Sequence, residues 1–153
     1  MNIRELTAEE LNGTVIDALA EKICGYYKKS TTLIDINVET VKKNWTGFIQ
    51  SGMASIFIIE EESEIVGIIS GVSFPDPLSG RVIAQEIFWY VDESCRYKGY
   101  GRVLINVFEG WAKLKGATSI RLAHLVDLRA KENQSLYEGL GYSVAEVTYD
   151  KEI

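Results

Sequence analysis

Arg96-Tyr97-Lys98-Gly99-Tyr100-Gly101 is the stretch that decides how this chain reads. It follows a strand-like run, Ala84 to Val91, and opens a helix-like run, Arg102 to Leu114. A strand, a short turn rich in glycine and cations, then a helix is one way to hold a pyrophosphate. The first turn of a helix has N–H groups without partners and carries the positive end of the helix dipole. Glycine at Gly99 and Gly101 lets the backbone come close to an anion. The same composition also suits an ordinary turn with solvated charges, so the neighbouring segments have to decide.

Upstream of the turn, Arg81 or Val82 to Val91 reads as the fourth strand, and Pro75, Asp76, Pro77, Ser79 and Gly80 as the rigid connection before it. Ala54 to Glu60 and Glu64 to Val72 read as a hairpin joined by Glu61-Glu62-Ser63. Further back, Val38 to Gln50 has Val41, Trp45 and Phe48 on one side. Leu11, Val15, Leu19, Ile23 and Tyr26 recur at helical spacing, with Thr7 as the expected cap and Glu10 three residues on. Asn2 to Leu6 is the first strand. Downstream, Val103, Leu104, Val107, Phe108, Trp111 and Leu114 line one helix face, and Gly116 ends it. Ser119 to Leu125 reads as a fifth strand. Leu136, Tyr137 and Leu140 mark a short helix closed by Gly139 or Gly141, and Tyr142 to Glu152 reads as a last strand. The order is β-α-α-β-β-β-α-β-α-β, an α/β chain with a mixed, mostly antiparallel sheet flanked by helices.

Composition narrows the function. A length of 153 residues suits a single domain, 1–153, with a sizeable core, and 46% hydrophobic residues mark it as globular. No apolar run is long enough to span a bilayer, and the N-terminus lacks the parts of a signal peptide, so a cytoplasmic protein with no membrane partner is expected. The net charge of −6 argues against nucleic-acid binding and leans towards a cationic or amine substrate. Cys24 and Cys95 make neither a disulfide framework nor a zinc site, and no metal is expected. Cys24 falls near the apolar stripe of the first helix and reads as core. Cys95 reads as an exposed bystander with a thiol activated by Arg96 and Lys98. Nucleotide triphosphates and dinucleotides are poorly supported. GxxxxGK[ST] is absent, and GxGxxG fails at Leu104.

Two landmarks resemble the GNAT superfamily of acyl-CoA-dependent N-acyltransferases. The family motif [QR]-x-x-G-x-[GA] is present as Arg96-x-x-Gly99-x-Gly101, and Leu136-Tyr137-Glu138-Gly139-Leu140-Gly141-Tyr142 is similar to the family's Leu-Tyr-x-x-x-Gly-[FY]. The element order matches as well. The resemblance implies that acetyl-CoA is the co-substrate. Its pyrophosphate would lie on Arg96, Tyr97, Lys98, Gly99, Tyr100 and Gly101, with Arg102 adding charge. Its pantetheine arm would pair with Trp89, Tyr90 and Val91 like an added strand, where a backbone N–H would hold the oxyanion. For the side chains of Trp89, Tyr90 and Val91, a plain core strand is the favoured reading.

By the same resemblance Tyr137 is the general acid for the leaving thiolate, a role favoured over a helix aromatic packed on the sheet because Tyr137 lies within the motif. Glu86, ten residues before Arg96, is the candidate base. Apolar neighbours would raise its pKa, whereas a solvent-facing position or a salt bridge would leave it a bystander. His124, on the fifth strand, reads as a residue with a simple hydrogen-bond partner more readily than as a proton relay. The family's pantetheine Asn is replaced by Ala130, and Asn133, four residues before Tyr137 on the same helix face, is the candidate substitute. The implied reaction is direct attack of a primary amine, on a small molecule or a peptide, through a tetrahedral intermediate. A non-catalytic CoA-binding or protein-interaction module is the alternative. Tyr26, Tyr27, Asp35, Asn37 and Trp45 would form the acceptor region, with Lys28 to Asn37 as a lid, although the same residues suit ordinary packing of two short helices at least as well. A single final strand leaves a sheet edge that a second subunit would cover, giving a homodimer.

Overall fold

The structure, a computed structural model, describes residues 1–11, 13–31, 36–151 and 153. Its regular elements are β1 (Asn2–Glu5), α1 (Thr14–Tyr27), α2 (Val38–Gln50), β2 (Ala54–Glu61), β3 (Glu64–Pro75), β4 (Val82–Val91), α3 (Tyr100–Leu114), β5 (Ser119–Arg121) and α4 (Ala130–Gly139). The strands lie in the order β1-β2-β3-β4-β5. Every neighbouring pair is antiparallel except β4 and β5, which run parallel.

Both faces of the central strands are covered, which is why β2 and β3 are near-continuous apolar runs. Phe57, Ile59 and Ile69 face α3 and pack with Leu104, Ile105, Phe108 and Trp111. Ile56, Ile58, Ile68 and Phe88 face the other way, onto Leu19, Ile23 and Trp45 of α1 and α2. Glu62 and Ser63, which join β2 to β3, both have positive φ (50° and 68°), as the tight two-residue hairpin turn requires.

The register of β3 and β4 shifts once. Ser70 faces Phe88 and Gly71 faces Glu86, so Ile87 is an unpaired bulge. Gly71 is where the sheet meets α3, because a Cβ there would stand 2.4 Å from the Phe108 ring.

Three elements differ from the sequence reading. Glu10 does reach back to the Thr7 N–H at 2.9 Å, but it closes only a 3₁₀ turn over Glu9–Leu11. Gly13, extended and without a side-chain cap, separates that turn from α1. β5 stops at Arg121 instead of Leu125, so His124 lies in the loop beyond it. The strand expected from Tyr142 to Glu152 is absent among the described residues. A strand needs an edge to pair with, and β5 leaves the sheet edge after three residues. Tyr142 is anchored by its hydroxyl on Glu109 (2.7 Å), after which Val144, Val147 and Tyr149 are exposed. The single-strand edge that suggested a second subunit is therefore not formed by that segment.

Candidate active site

β4 and β5 are partners only from Ile83 to Gln85. From Glu86 to Val91 the edge of β4 facing away from β3 has no strand beside it among the described residues. Tyr90 pairs with Ile68, and the Asp92 N–H reaches Val66 O at 2.9 Å, so the backbone groups of Tyr90 are spent on β3. By the alternation of an antiparallel ladder, the N–H and C=O of Trp89 and Val91 point to the open edge.

That edge opens into a cleft of about 250 Å³. Trp89, Tyr90, Val91, Arg96, Gly99, Gly101, Arg102 and Asn133 line it, together with Tyr26 from α1 and Arg129, Glu132 and Leu136 from the far side. Sequence reading missed Arg129, Glu132 and Leu136, although Leu136 stands within the tyrosine motif.

The turn is shaped by glycine at two positions. Gly99 sits at φ 80°, a left-handed conformation that favours glycine, and leads into α3, whose start has no side-chain cap. The first-turn N–H groups of Tyr100, Gly101 and Arg102 therefore have no intrahelical partner. Gly101 has a second reason to be glycine: a Cβ there would lie 2.7 Å from Trp89 Cζ2.

Tyr97, Lys98 and Tyr100 do not line the cleft with their side chains. Tyr97 is 95% exposed. Lys98 Nζ and the Tyr100 hydroxyl both bind the Glu61 carboxylate at the end of β2, Lys98 at 2.6 Å. Lys98, then Tyr100, holds the Glu61 carboxyl down at about 2. Cys95, expected at the surface, is buried, with its thiol 3.6 Å from the same carboxylate. Cys24 is core, as expected. Glu61 thus ties the turn to the β2–β3 hairpin. It carries no sequence signal, because its partners are more than thirty residues away.

Glu86 is 6% exposed, so the inward position is the one it takes. Burial pushes its carboxyl up to about 7, against the lowering effect of its hydrogen bond from the Ala123 N–H (3.2 Å). The Tyr137 hydroxyl donates to the carbonyl of the same Ala123 at 3.0 Å. Burial, with the Glu86 charge next, raises the Tyr137 pKa, so it stays a phenol. Its ring touches Trp89 (centroids 5.8 Å apart) and His124 (5.9 Å). Asn133 lines the cleft and reaches Leu128 O at 3.4 Å.

On the α1 side, Tyr26 is edge-on to both Tyr27 and Tyr90, with ring centroids 5.4 Å apart in each pair. Trp45 is buried against Phe88 and serves the core. Asn37 caps α2 by accepting from the Thr40 N–H at 3.0 Å. Asp35 and the middle of the expected lid lie outside the described residues. The end of α1 is strapped to the loop before α4. Asp127 accepts from Ser30 Oγ (2.9 Å), Thr31 N (2.6 Å) and Thr31 Oγ1 (2.9 Å).

The sheet is splayed between β4 and β5, and a glycine turn leads from the strand into α3. Residues 16–142 match the model of the acetyltransferase (GNAT) family, and the chain belongs to that family. No curated protein sequence matches it at a significant level. Solved structures of similar fold include an aminoglycoside acetyltransferase from an uncultured soil metagenomic sample (TM-score 0.78, 16% identity, covering 99% of this chain and 97% of that one). A ribosomal-protein-alanine N-acetyltransferase from Brucella melitensis biovar Abortus 2308 superimposes with a TM-score of 0.71 at 17% identity, over 100% of both chains. A Clostridium acetobutylicum protein described as a predicted acetyltransferase, solved with acetyl-CoA, gives a TM-score of 0.75 at 14% identity, over 99% of this chain and 95% of that one. These identities speak for the fold. With the family match they place the chain among the acyltransferases.

Proposed function

We propose that this protein is an N-acetyltransferase that moves the acetyl group of acetyl-CoA directly to a primary amine. One observation carries the reading. The unpaired edge of β4 at Trp89 to Val91 opens into the same cleft as the uncapped start of α3, with Arg96 and Arg102 beside it. An extended arm ending in a phosphate group fits such a site, because the edge supplies strand-like hydrogen bonds and the helix start takes the anion. The residues suit the donor on two further counts. The indole N–H of Trp89 is buried without a partner beside the cleft, and the bare backbone at Gly101 forms part of its floor.

Acetyl-CoA supplies an activated acetyl thioester. On this chain, the N–H of Val91 or Trp89 at the open edge is the donor for the charge that develops on the acetyl oxygen. Glu86 is the base. A carboxyl titrating at about 7 is half ionised at neutral pH and strong enough to take the ammonium proton, directly or through water. Tyr137 keeps its proton at every relevant pH and gives it to the departing sulfur by releasing Ala123 O. The acceptor enters from the Tyr26 and Tyr27 side. The structural neighbours named above act on an aminoglycoside and on a ribosomal protein, so the acceptor class proposed here stops at a primary amine on a small molecule or peptide.

The test is thiol release. The protein with acetyl-CoA and a panel of amines (aminoglycosides, amino sugars, polyamines, peptide N-termini) should release free CoA only when an acceptor is present. Failure to bind acetyl-CoA in a calorimetric titration would overturn the donor site. Binding without release across the panel would leave a non-catalytic CoA-binding module.

A further inference from the structure

Arg129 breaks three local rules at once. It sits at φ 53°, ψ 36°, a left-handed conformation that a side chain with a Cβ adopts only at a cost. It occupies the N-cap of α4, where Asn, Asp, Ser or Thr would bond the helix N–H groups, and makes no capping bond. It also brings a cation to the positive end of a helix dipole. Its one ion pair among the described residues, with Glu132 at 3.6 Å, is long and faces a carboxylate that is 59% exposed. Nothing local repays the strain, and residues that break local rules without a local gain cluster at functional sites.

The placement supplies the reason. Arg129 lines the cleft from the α4 side, while Arg96 and Arg102 line it from the turn and from α3. Tyr26 lines the same cleft, and while burial raises its pKa, the charges of Arg96 and Arg129 act against that rise. Three arginines line two walls of one cleft that holds one carboxylate, Glu132, and Arg96 is also paired with Glu93 at 3.3 Å, in a protein whose net charge is −6.

We infer that Arg129 is a phosphate-binding residue of the donor cleft, the second wall of an arginine clamp completed by Arg96 and Arg102. The inference rests on the donor reading given above. A guanidinium presents paired N–H groups that match phosphate oxygens, and its strained backbone is tolerated because it aims them across the cleft. A bound phosphate would take the guanidinium from the weakly held Glu132.

The test compares the wild type with Arg129→Gly and Arg129→Lys, using CoA as the probe. Glycine suits the left-handed backbone, so the ligand-free Arg129→Gly protein should melt at the wild-type temperature or a few degrees above it. Its CoA dissociation constant by calorimetry should rise about tenfold, the weight of one charge-assisted hydrogen bond. Its affinity should also depend less steeply on salt. Arg129→Lys should fall between the two in affinity. Equal CoA affinity in wild type and Arg129→Gly would overturn the inference and leave the donor reading intact. A markedly lower melting temperature of ligand-free Arg129→Gly would overturn it by making Arg129 structural. A wild type that does not bind CoA would overturn the donor reading and the inference together.

Discussion

Glu86 and Tyr137 are held by the same residue. Ala123 gives its N–H to the Glu86 carboxylate at 3.2 Å and its C=O to the Tyr137 hydroxyl at 3.0 Å. This happens where β5 has left β4, so the backbone groups freed by the splay are spent on the two side chains. The separation that opens the cleft also fixes the proposed base relative to the proposed acid.

Glu86→Gln should abolish most activity and still stabilise the protein at high pH. The carboxyl titrates at about 7 when folded, above the ordinary value of 4.5. A raised pKa means that the folded state holds the proton more tightly. The associated stability is full below the unfolded value and is lost as pH rises through 7. The loss above pH 7 is about 3 kcal/mol, from 1.36 kcal/mol per pKa unit. The variant should therefore melt higher than wild type at pH 8 and no higher at pH 4. Wild-type kcat/KM should rise with pH to a plateau above about 7, because only the ionised base works. A flat profile between pH 6 and 8 would remove Glu86 from the base role.

Tyr137→Phe should lower kcat by about a hundredfold and leave acetyl-CoA affinity nearly unchanged, the signature of a proton given only in the transition state. The fold loses one hydrogen bond, to Ala123 O, or about 1 kcal/mol. Unaltered turnover would show that the hydroxyl serves only to hold the Ala123 loop.

Gly101→Ala should destabilise the protein by about 1–3 kcal/mol, since the added methyl enters the space of the Trp89 ring. At Gly99 a Cβ meets no atom within 4 Å, and the penalty is the left-handed backbone, about 1–2 kcal/mol. The double variant Gly101→Ala/Trp89→Leu should recover stability. Equal melting temperatures for Gly101→Ala and its Trp89→Leu double would disprove the contact.

Much of this was legible in the residues, and the limits have physical causes. The elements from β1 to α3 were legible apart from the start of α1, because α1 and α3 carry apolar stripes and β2 and β3 are continuous apolar runs buried on both faces. The turn was legible through Gly99 and Gly101, although the Trp89 contact at Gly101 depends on how α3 lands on β4. Arg129 was not legible, since a left-handed φ leaves no trace in an arginine. Glu61 was read only as part of a turn, as its role depends on Lys98, Tyr100 and Cys95 arriving from another element. Val144, Val147 and Tyr149 were read as a strand, but their spacing is not strict alternation and no edge waits beside them.

Glu61→Gln should raise KM for acetyl-CoA several-fold at constant kcat. Its carboxylate ties Lys98, Tyr100 and the buried Cys95 to the hairpin, which sets the pose of the turn. The opposite sign is a clear alternative. If only its negative charge matters near the phosphate cradle, removing it frees Lys98 and tightens binding. Initial-rate kinetics on the single variant separate the two, and a lower KM would show that Glu61 does not position the turn.

Asp127→Asn should loosen the end of α1. The carboxylate accepts two bonds from Thr31 and two from Ser30, and Thr31, through its N–H first, holds the Asp127 pKa below its ordinary value. A lowered pKa means that this stabilisation is present above the unfolded value and is lost as pH falls through the folded one. The strap should stay closed at neutral pH and release in acid. The Thr31 amide should then exchange with solvent faster in Asp127→Asn than in wild type at neutral pH, and the difference should shrink as the wild-type carboxylate is protonated. Because the strap joins the proposed acceptor side of the cleft to the loop that carries Arg129, the variant should also raise the acceptor KM. Unchanged Thr31 exchange would mean that α1 is held by its apolar face and by ion pairs such as Lys22–Asp92 (3.1 Å) and Lys42–Asp17 (2.6 Å), with Asp127 contributing nothing to the closure.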